Sequence, residues 1–441
     1  MSSTPLPDSP PSLGKRPLRI GVAGVGVVGQ GVIKYLSEHP DFAPAIGEVV
    51  VTAVSARDRY RKRDVDLAPY HWFDDPVALA TSDAIDLFVE LIGGSEGPAK
   101  AAVEAALALG RPVVTANKAL LAIHGHALAK TAERTGAALL FEAAVMGGTP
   151  AVKMLREGLT GDQVDRVAGI LNGTCNYILS EMEASGRSFA EVLSEAQAKG
   201  FAEADPTTDI GGFDAGHKIT LLGALAFGAA PDFAAADVQG IEAVDLIDIR
   251  LAHDLGYRIK LIAEATRDGD FASVRVHPAL TPLGHPLAQA GGSLNALFIE
   301  GRRIGRLFLQ GAGAGQGPTA AAVAADIADY LAGGRRPVFQ RPAVDLHPLK
   351  PADHAKRTTA AYFRLRVHDQ PGVIAAISDA LARCDLSIDS FLQRSVQPGG
   401  LVPIVLTTRP ALETQIDAAV AAIAALDVVA EPPRMIRIAM I

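Results

Sequence analysis

Residues 18–36 read LRIGVAGVGVVGQGVIKYL, an apolar run that passes through glycines into a helical apolar pattern. Gly24, Gly26 and Gly29 form a GxGxxG motif between the predicted strand and the predicted helix. In that context the glycines permit a tight turn and let the backbone approach a pyrophosphate at the helix N-terminus. The alternative is a turn whose glycines serve packing alone. We predict that this stretch begins a dinucleotide-binding fold, with a cofactor lined by Gly24, Val25, Gly26, Val28 and Gly29.

Strand-like and helix-like segments alternate through the following hundred residues. Apolar runs at 48–56, 84–93 and 111–117 are separated by helical patterns at 98–110 and from 118 onwards. Continuous apolar strands that alternate with helices are typical of a doubly wound parallel sheet. The sequence therefore predicts an α/β protein. It begins with a disordered tail at 1–16 and a Rossmann-type NAD(P)-binding domain at 17–150. A helix at 311–333 is predicted to pack back on that domain.

The remaining residues predict two further folded parts. Residues 151–310 mix helical segments with strand-like runs and predict a mixed α/β domain for substrate binding, catalysis and dimerisation. Residues 334–357 hold prolines and basic residues and predict a linker. Residues 358–441 read strand, helix, strand, strand, helix, strand, which is the βαββαβ order of a ferredoxin-like module.

Composition narrows the class of protein. A chain of 441 residues is long enough for two or three domains. The net charge of −8, without a dense Lys/Arg block, argues against nucleic acid and anionic membranes as partners. Two cysteines cannot form a disulfide framework, and the longest apolar run, from Ile219, is shorter than the ~20 residues that span a bilayer. We expect a soluble protein of the reducing cytoplasm.

The end of the second predicted strand distinguishes between nicotinamide cofactors. An acid there binds the ribose of NAD, whereas an arginine accommodates the 2′-phosphate of NADP. Residues 55–63 read SARDRYRKR, with Arg57 where the strand ends, which predicts NADP. Asp58 keeps NAD open, and an exposed basic loop without a ligand is the third interpretation.

Residues 203–218, EADPTTDIGGFDAGHK, gather Glu203, Asp205, Asp209 and Asp214 in front of Lys218. One interpretation is a solvated acidic turn with a helical Asp–Lys pair, which stabilises by roughly 0.2–0.5 kcal/mol. The other is a pocket for a cationic substrate, with a lysine that moves a proton. A carboxylate metal site is a third, and Lys218 argues against it.

Five motifs, in order, resemble the signature segments of homoserine dehydrogenase: VELIGG (89–94), TANKALLA (115–122), ILNGTCNYIL (170–179), the acidic stretch at 203–218, and GAGAGQGPTAAAVAAD (311–326). The last 80 or so residues resemble an ACT domain, a small amino-acid-sensing module. The resemblance implies NAD(P)-dependent interconversion of L-homoserine and L-aspartate 4-semialdehyde in threonine, methionine and isoleucine biosynthesis. A dehydrogenase of another amino-acid semialdehyde and a catalytically silent amino-acid sensor are the alternatives.

The resemblance also implies roles for individual residues. Lys218 matches the proton donor, and Lys118 is a second lysine of the pocket that serves catalysis or orients the cofactor. Glu203 and Asp214 match acids that hold the substrate ammonium, with Asp209 in support and Asp205 as a structural acid. Thr174 is expected to contact substrate or cofactor, unless it caps the following helix. Three glycines are expected to face the cofactor: Gly200, Gly313 and Gly315.

Two further sites are implied by resemblance alone. In FEAAVMGGTP (141–150), a structural sodium ion is expected on main-chain carbonyl oxygens, which suit a hard cation, at Glu142, Val145, Gly147 and Thr149. In the ACT module, Asp369 and Gly372 match the effector turn, where L-threonine would act as a feedback inhibitor. Arg409 stands where a histidine is frequent, and a dimerisation module without ligand is the alternative. A homo-oligomer, dimer or tetramer, is expected.

Overall fold

The computed structural model describes residues 16–39, 47–334, 336–393 and 401–441. Residues 1–15 of the predicted tail lie outside the described residues. Arg16, the last residue of that tail, donates from Nη2 to Oδ1 of Asp86 at 3.1 Å. Within the described ranges no helix is long and apolar enough to cross a membrane.

The N-terminal domain is a six-stranded parallel sheet with strand order β3-β2-β1-β4-β5-β6. Its strands are β1 (Leu18–Ala23), β2 (Val49–Ser55), β3 (His71–Phe73), β4 (Leu87–Glu90), β5 (Val113–Thr115) and β6 (Leu139–Leu140), and its helices are α1 (Val27–Glu38), α2 (Pro76–Thr81), α3 (Pro98–Ala108) and α4 (Lys118–Thr135). The order reverses between β1 and β4, and such a switch point is where doubly wound sheets bind ligands. The predicted Rossmann-type fold is confirmed. The short β3 and α2 escaped prediction, since three- and six-residue elements carry little periodicity.

The second part is a mixed α/β unit. It comprises α5 (Ala151–Lys153), β7 (Val164–Ile170), α6 (Gly173–Ser185), α7 (Phe189–Ala198), α8 (Thr207–Ile210), α9 (Phe213–Phe227), β8 (Asp237–Val238), α10 (Leu246–Asp254), β9 (Tyr257–Asp268), β10 (Phe271–Pro282), α11 (Pro286–Gln289), β11 (Leu294–Gly301) and β12 (Gly305–Ala312). A π-helical turn, Met154–Gly158, follows α5. The sheet runs β12-β11-β7-β9-β10, and α9 packs against β7, β9 and β10.

Helix α12 (Gln316–Leu331) packs against the N-terminal domain. Its Val323 and Ile327 are fully buried in one core with Val32 and Ile33 of α1. The helices approach closely at Gly31, where an added Cβ would lie 2.5 Å from Cγ of Gln316. The N-terminal domain is therefore completed by a helix that comes from the far end of residues 17–333.

The predicted linker is folded against the rest of the chain over its described residues. Phe339 and Ala343 are fully buried, and the ring of Phe339 lies 5.6 Å from that of Phe141. Nε2 of His126, on α4, lies 2.9 Å from the carbonyl oxygen of Ala343. The apolar residues among the prolines explain the difference, because they bury surface that a free linker would expose.

The C-terminal module has the predicted βαββαβ order, with strands arranged β18-β14-β16-β15. Its elements are β14 (Thr358–His368), α13 (Val373–Arg383), β15 (Ile388–Gln393), β16 (Leu401–Thr408), β17 (Ala411–Leu412), α14 (Glu413–Ala424) and β18 (Arg434–Ile438). The two-residue β13 (Lys350–Pro351) precedes the module and pairs with β10. Strand β18 pairs with β14 on one side and with β10 on the other, where Leu280 faces Ile438. The sheet of the mixed α/β unit and the sheet of the C-terminal module are thus one continuous sheet.

Candidate active site

Asp214 lies between the two lysines that the sequence predicts for catalysis. Helix α9 begins at Phe213, so Asp214 and Lys218 stand one turn apart on the same face. Nζ of Lys218 donates to Oδ2 of Asp214 at 2.7 Å and to the carbonyl oxygen of Leu171 at 2.8 Å. Nζ of Lys118, at the start of α4, lies 3.1 Å from Oδ1 of the same carboxylate. Three segments far apart in sequence, around residues 118, 171 and 214–218, therefore meet at the Asp214–Lys218 pair.

The electrostatics of this cluster follow from burial and from the neighbouring charges. Burial alone would raise the pKa of Asp214, but Lys218 and Lys118 outweigh it and hold that pKa below its ordinary value of 3.8. Asp214 in turn raises the pKa of Lys118 against the effect of burial, with smaller contributions from Asp209 and Glu203. Burial and the Asp214 charge raise the pKa of Asp209. The pocket thus favours the ionised carboxylate of Asp214 and the protonated ammonium of Lys118 beside it.

Asn172, which the sequence analysis does not select, connects the acids. Its Nδ2 donates to Oδ1 of Asp209 at 2.7 Å and to Oδ2 of Asp214 at 2.9 Å. Its Oδ1 accepts from the backbone N–H of Cys175 at 2.8 Å, which caps α6. The signal was present, because an asparagine before a helical run is a preferred N-cap. Capping of α6 is therefore done by Asn172, which removes that alternative role for Thr174.

Thr174, Gly200 and Glu203 lie around the loop between α7 and α8. The hydroxyl of Thr174 donates to the carbonyl oxygen of Phe201 at 2.8 Å and so ties α6 to this loop. Gly200 is exposed with φ +75°, and an added Cβ there would have no heavy atom within 4 Å. The Glu203 side chain is exposed, while Nε2 of Gln197 donates to its backbone carbonyl at 3.1 Å. Asp205, the fourth acid, caps a local turn by accepting from Thr207 N at 3.1 Å.

Asn295 of β11, a second residue that the sequence did not predict, shares a hydrogen-bond acceptor with Lys218. Its Nδ2 donates at 3.0 Å to the same Leu171 carbonyl oxygen that Lys218 binds. Asn295 is 1% exposed, and a Cβ added at Gly313 would lie 2.1–2.3 Å from its amide. Gly313, predicted to face the cofactor, is thus required to be glycine by a contact within the protein.

The Gly-rich turn and the ends of β1 and β4 form the crevice for a nucleotide. Gly24 has φ +94°, and a Cβ there would lie 2.4 Å from the Leu91 carbonyl oxygen. A Cβ at Gly29 would lie 2.0 Å from the Gly24 carbonyl oxygen, so both glycines are needed for close backbone packing. Gly26 is exposed, and a Cβ there would have nothing within 4 Å. This open position before α1, between Val25 and Val28, fits the approach of a pyrophosphate.

A buried carboxylate shapes the crevice near Lys118. Oε1 of Glu90 accepts from the backbone N–H groups of Ile92 and Gly93 at 2.8 and 2.9 Å. Its Oε2 accepts from the Thr115 hydroxyl at 2.5 Å. Asn117 then caps α4 by accepting from Leu120 N at 3.0 Å, which places Lys118 in the first turn.

Comparison with known proteins shows the family of the chain. The family model for the homoserine dehydrogenase NAD-binding domain matches residues 24–142, that for homoserine dehydrogenase matches 150–328, and that for the ACT domain matches 361–428. A homoserine dehydrogenase of Neisseria gonorrhoeae is 41% identical over 433 residues, which cover 96% of this chain and 98% of the relative. The chain belongs to the homoserine dehydrogenase family. Another relative, from Pseudomonas aeruginosa, is 39% identical and covers 96% of this chain and 99% of its own length.

Solved structures of homoserine dehydrogenases share the fold. That from Thiobacillus denitrificans has a TM-score of 0.88 and 39% identity, with 96% of this chain and 98% of the other covered. A hyperthermophilic archaeal homoserine dehydrogenase in complex with NADPH has a TM-score of 0.62 and 25% identity, with 73% of this chain covered and 100% of the other. As a homoserine dehydrogenase, the chain is an oxidoreductase that interconverts L-homoserine and L-aspartate 4-semialdehyde with a pyridine nucleotide, and it carries a regulatory ACT domain.

In this homoserine dehydrogenase the loop after β2 holds the predicted cofactor discriminator. Arg57 is exposed just beyond the strand. Oδ1 of Asp58 accepts from the backbone N–H groups of Tyr60 and Arg61 at 2.8 and 3.2 Å. Asp58, the acid that favoured NAD as the alternative cofactor, therefore accepts hydrogen bonds within its own loop.

The segment predicted to wrap a sodium ion has a distorted backbone. Met146 and Gly147 are consecutive residues with positive φ, +57° and +44°, and the hydroxyl of buried Thr149 lacks a hydrogen-bond partner among the described residues. The side chain of Glu142 instead caps the next helix, accepting from Lys153 N at 2.7 Å. No three His, Cys, Asp or Glu side chains meet as metal ligands within the described ranges, so an ion here would depend on carbonyl oxygens such as that of Val145.

The predicted effector residues belong to the ACT domain of this homoserine dehydrogenase. Gly372 precedes α13 with φ +92°, and an added Cβ would have nothing within 4 Å. Asp369 is exposed in the same turn. Residues 394–400, which precede β16 in the sequence, lie outside the described residues, and Arg409 directly follows β16. Gly315, the last of the glycines predicted to face the cofactor, lies outside the ACT domain and is the N-cap residue of α12, with φ +121°.

Proposed function

We propose that Lys218 is the proton donor to the carbonyl oxygen of L-aspartate 4-semialdehyde, and the proton acceptor when L-homoserine is oxidised. The observation that carries this proposal is the pair of bonds from Nζ of Lys218 to Asp214 and Leu171. An ammonium has three N–H donors. Two have partners among the described residues, which leaves the third to reach a substrate oxygen.

The remaining groups of the cluster divide the work of holding the substrate. The bound nicotinamide supplies or accepts the hydride. Asp214 fixes the two lysines, and Lys118, whose side chain is 38% exposed, adds positive charge where the carbonyl oxygen becomes negative. Asp209 and Glu203 then hold the α-ammonium of the amino acid by charge-assisted hydrogen bonds, with Thr174 fixing the loop that carries Glu203.

The first experiment measures reduced-nicotinamide formation from L-homoserine by wild type, Lys218→Ala and Lys118→Ala. Loss of acid–base catalysis lowers kcat at least ~100-fold in Lys218→Ala. A matched control is Lys34→Ala, which removes a surface lysine whose side chain is 63% exposed. A small loss in Lys218→Ala with a large loss in Lys118→Ala would transfer the proton-transfer role to Lys118. Turnover of another amino-alcohol in place of L-homoserine would favour a different semialdehyde.

We further propose that NADP is preferred to NAD. Arg57 and the other basic residues of its loop supply positive charge, while the carboxylate of Asp58 is used within the loop. The similarity to an archaeal relative solved with NADPH supports the same choice. The ratio of kcat/KM for the two cofactors tests it, and Arg57→Ala should reduce that ratio.

We propose a structural sodium ion at the carbonyl oxygens of Glu142, Val145, Gly147 and Thr149. The positive φ angles at 146 and 147 turn the backbone in a way that can aim successive carbonyls inward. The measurement is the thermal unfolding midpoint in sodium chloride and in choline chloride at equal ionic strength. A bound ion raises the midpoint only in sodium, whereas equal midpoints would contradict it.

For regulation we propose that L-threonine binds at Asp369 and Gly372 and inhibits the enzyme. Gly372 leaves its backbone open to an amino acid. Because β18 pairs with β10, deletion of 358–441 would remove a strand of the catalytic sheet, so Asp369→Ala is the better test. Inhibition in the wild type that is unchanged in Asp369→Ala would contradict the site. Light scattering tests the expected dimer or tetramer.

A further inference from the structure

The guanidinium of Arg63 binds the backbone of two separate segments. Its Nε donates to the Val25 carbonyl oxygen at 3.2 Å, within the Gly-rich turn. Its Nη2 donates to the Asp58 carbonyl oxygen at 2.7 Å, and its Nη1 donates to those of Arg61 and Arg59 at 3.0 and 3.4 Å. Four of the five guanidinium N–H donors are thereby used on main-chain oxygens.

Two other contacts hold the same loop, residues 57–64, in place. The backbone N–H of Asp64 donates to Oε1 of Gln30 at 2.7 Å, and Gln30 lies in the first turns of α1. The guanidinium carbons of Arg59 and Arg63 lie 5.7 and 5.8 Å from the ring centroid of Trp72 in β3. Cation–π contacts at such distances favour a fixed orientation of both arginines.

The bonding of Arg63 differs from that of a phosphate ligand. Bidentate recognition of a phosphate needs two free N–H groups on one edge of the fork, and Arg63 has one donor left. Arg57, Arg59 and Arg61 are exposed in the same loop and remain to meet an anion. The role of Arg63 is therefore to fix where those side chains and the Gly-rich turn lie relative to each other.

We propose that Arg63 is a positioning residue that holds the basic loop and the Gly-rich turn in one frame, so that the ribose 2′-phosphate and the pyrophosphate of the cofactor are recognised together. This inference rests on the proposed NADP preference for its 2′-phosphate half. Its pyrophosphate half applies to both cofactors, because the bond to Val25 acts on the turn that every dinucleotide contacts.

Trp72 is the sole tryptophan of the chain, so its fluorescence reports directly on this region. The experiment titrates NADPH and NADH against wild type, Arg63→Ala, Arg57→Ala and Lys62→Ala, and follows Trp72 emission and energy transfer to the reduced nicotinamide. We expect Arg63→Ala to raise the Kd for both cofactors by ~10-fold, the scale of one or two lost hydrogen bonds to a charged group. Arg57→Ala should raise the Kd for NADPH alone. Lys62→Ala removes the same charge from an exposed side chain of the loop and should not change the Kd for NADH.

Two results would overturn the proposal. If Arg63→Ala weakens NADPH and leaves NADH unchanged, Arg63 is a direct ligand of the 2′-phosphate. If it changes neither Kd, the loop does not depend on it. Equal affinity of the wild type for both cofactors, with no effect of Arg57→Ala, would instead refute the NADP preference, while the NADH titration of Arg63→Ala would still decide the positioning role. Arg63→Lys gives a further check, since three donors on a compact ammonium cannot span four carbonyls and should not restore the wild-type Kd.

Discussion

Glu413 and Arg275 join the regulatory module to the catalytic sheet, with Oε1 of Glu413 2.6 Å from Nη1 of Arg275. Glu413 begins α14 and is 1% exposed, whereas Arg275 lies in the middle of β10. Nε of Arg437 lies 3.2 Å from the same oxygen, and Nε of Arg357 lies 3.2 Å from Oε2. One carboxylate therefore pairs with three guanidinium groups at the point where the two sheets become one.

Replacement of Glu413 by glutamine should destabilise the whole chain. Removing one partner of a buried ion pair typically costs ~3–5 kcal/mol, because the opposite charges stay buried without compensation. The free energy of unfolding from urea titration measures the loss. The matched control is Asp417→Asn on the same helix, where the ion pair with His354 is about half exposed and is worth ~0–1 kcal/mol. Equal losses in the two variants would show that Glu413 is not the link between the sheets.

Asn172→Ala should reduce activity and stability together. The substitution removes the N-cap of α6, at a typical cost of ~1 kcal/mol, and removes the donor that binds Asp209 and Asp214. With that donor gone, the two carboxylates repel each other more strongly, and we expect kcat/KM for L-homoserine to fall ~10-fold or more. Asn172→Asp separates the effects, since aspartate caps a helix as well as asparagine does yet adds a third negative charge. An active Asn172→Asp enzyme would show that only the cap matters.

The sequence predicts the parts of the site that depend on local chemistry. The nucleotide crevice was expected because a Gly-rich turn after a strand is recognised from neighbouring residues alone. The Asp214–Lys218 pair was expected because an acid one helical turn before a lysine lies on the same face of the helix. Asn295 was not, because nothing within its own strand indicates that it reaches the Leu171 carbonyl oxygen 124 residues away. The pairing of β18 with β10 escaped for the same reason, since strand pairing across more than a hundred residues leaves no local pattern.

Gly313→Ala should inactivate the enzyme through Asn295 and not only through the cofactor. The added Cβ would lie 2.1 Å from Cγ of Asn295, a distance that forces the amide or the turn to move. The expected results are a lower unfolding free energy, by ~1–3 kcal/mol as for other overpacked sites, and loss of turnover. The double variant Asn295→Ala, Gly313→Ala relieves the clash and should recover stability, while the lost bond to Leu171 keeps kcat low. If the double variant is no more stable than Gly313→Ala alone, the contact with Asn295 is not the cause.

Lys260 predicts how stability depends on alkaline pH. It is 1% exposed, and its Nζ donates to Oδ1 of Asn176 and to the Ala290 carbonyl oxygen, both at 2.8 Å. Burial, with a smaller effect of Arg258, lowers the pKa of Lys260 from 10.5 to about 8. The unfolded chain therefore binds more protons than the folded chain between pH 8 and pH 10.5, and the contribution of this group to stability rises with pH across that window.

The difference between the two pKa values of Lys260, 10.5 and about 8, corresponds to about 3 kcal/mol in the free energy of unfolding. In Lys260→Met this rise should disappear, so the unfolding free energy of the variant changes less than that of the wild type between pH 8 and pH 10.5. Urea titrations at several pH values measure both slopes, and Lys34→Met, at an exposed position, should keep the wild-type slope. Because the substitution also removes the donor to Oδ1 of Asn176, the comparison uses the slopes and not the absolute stabilities. Parallel curves for wild type and Lys260→Met would mean that Lys260 titrates alike in the folded and unfolded chains.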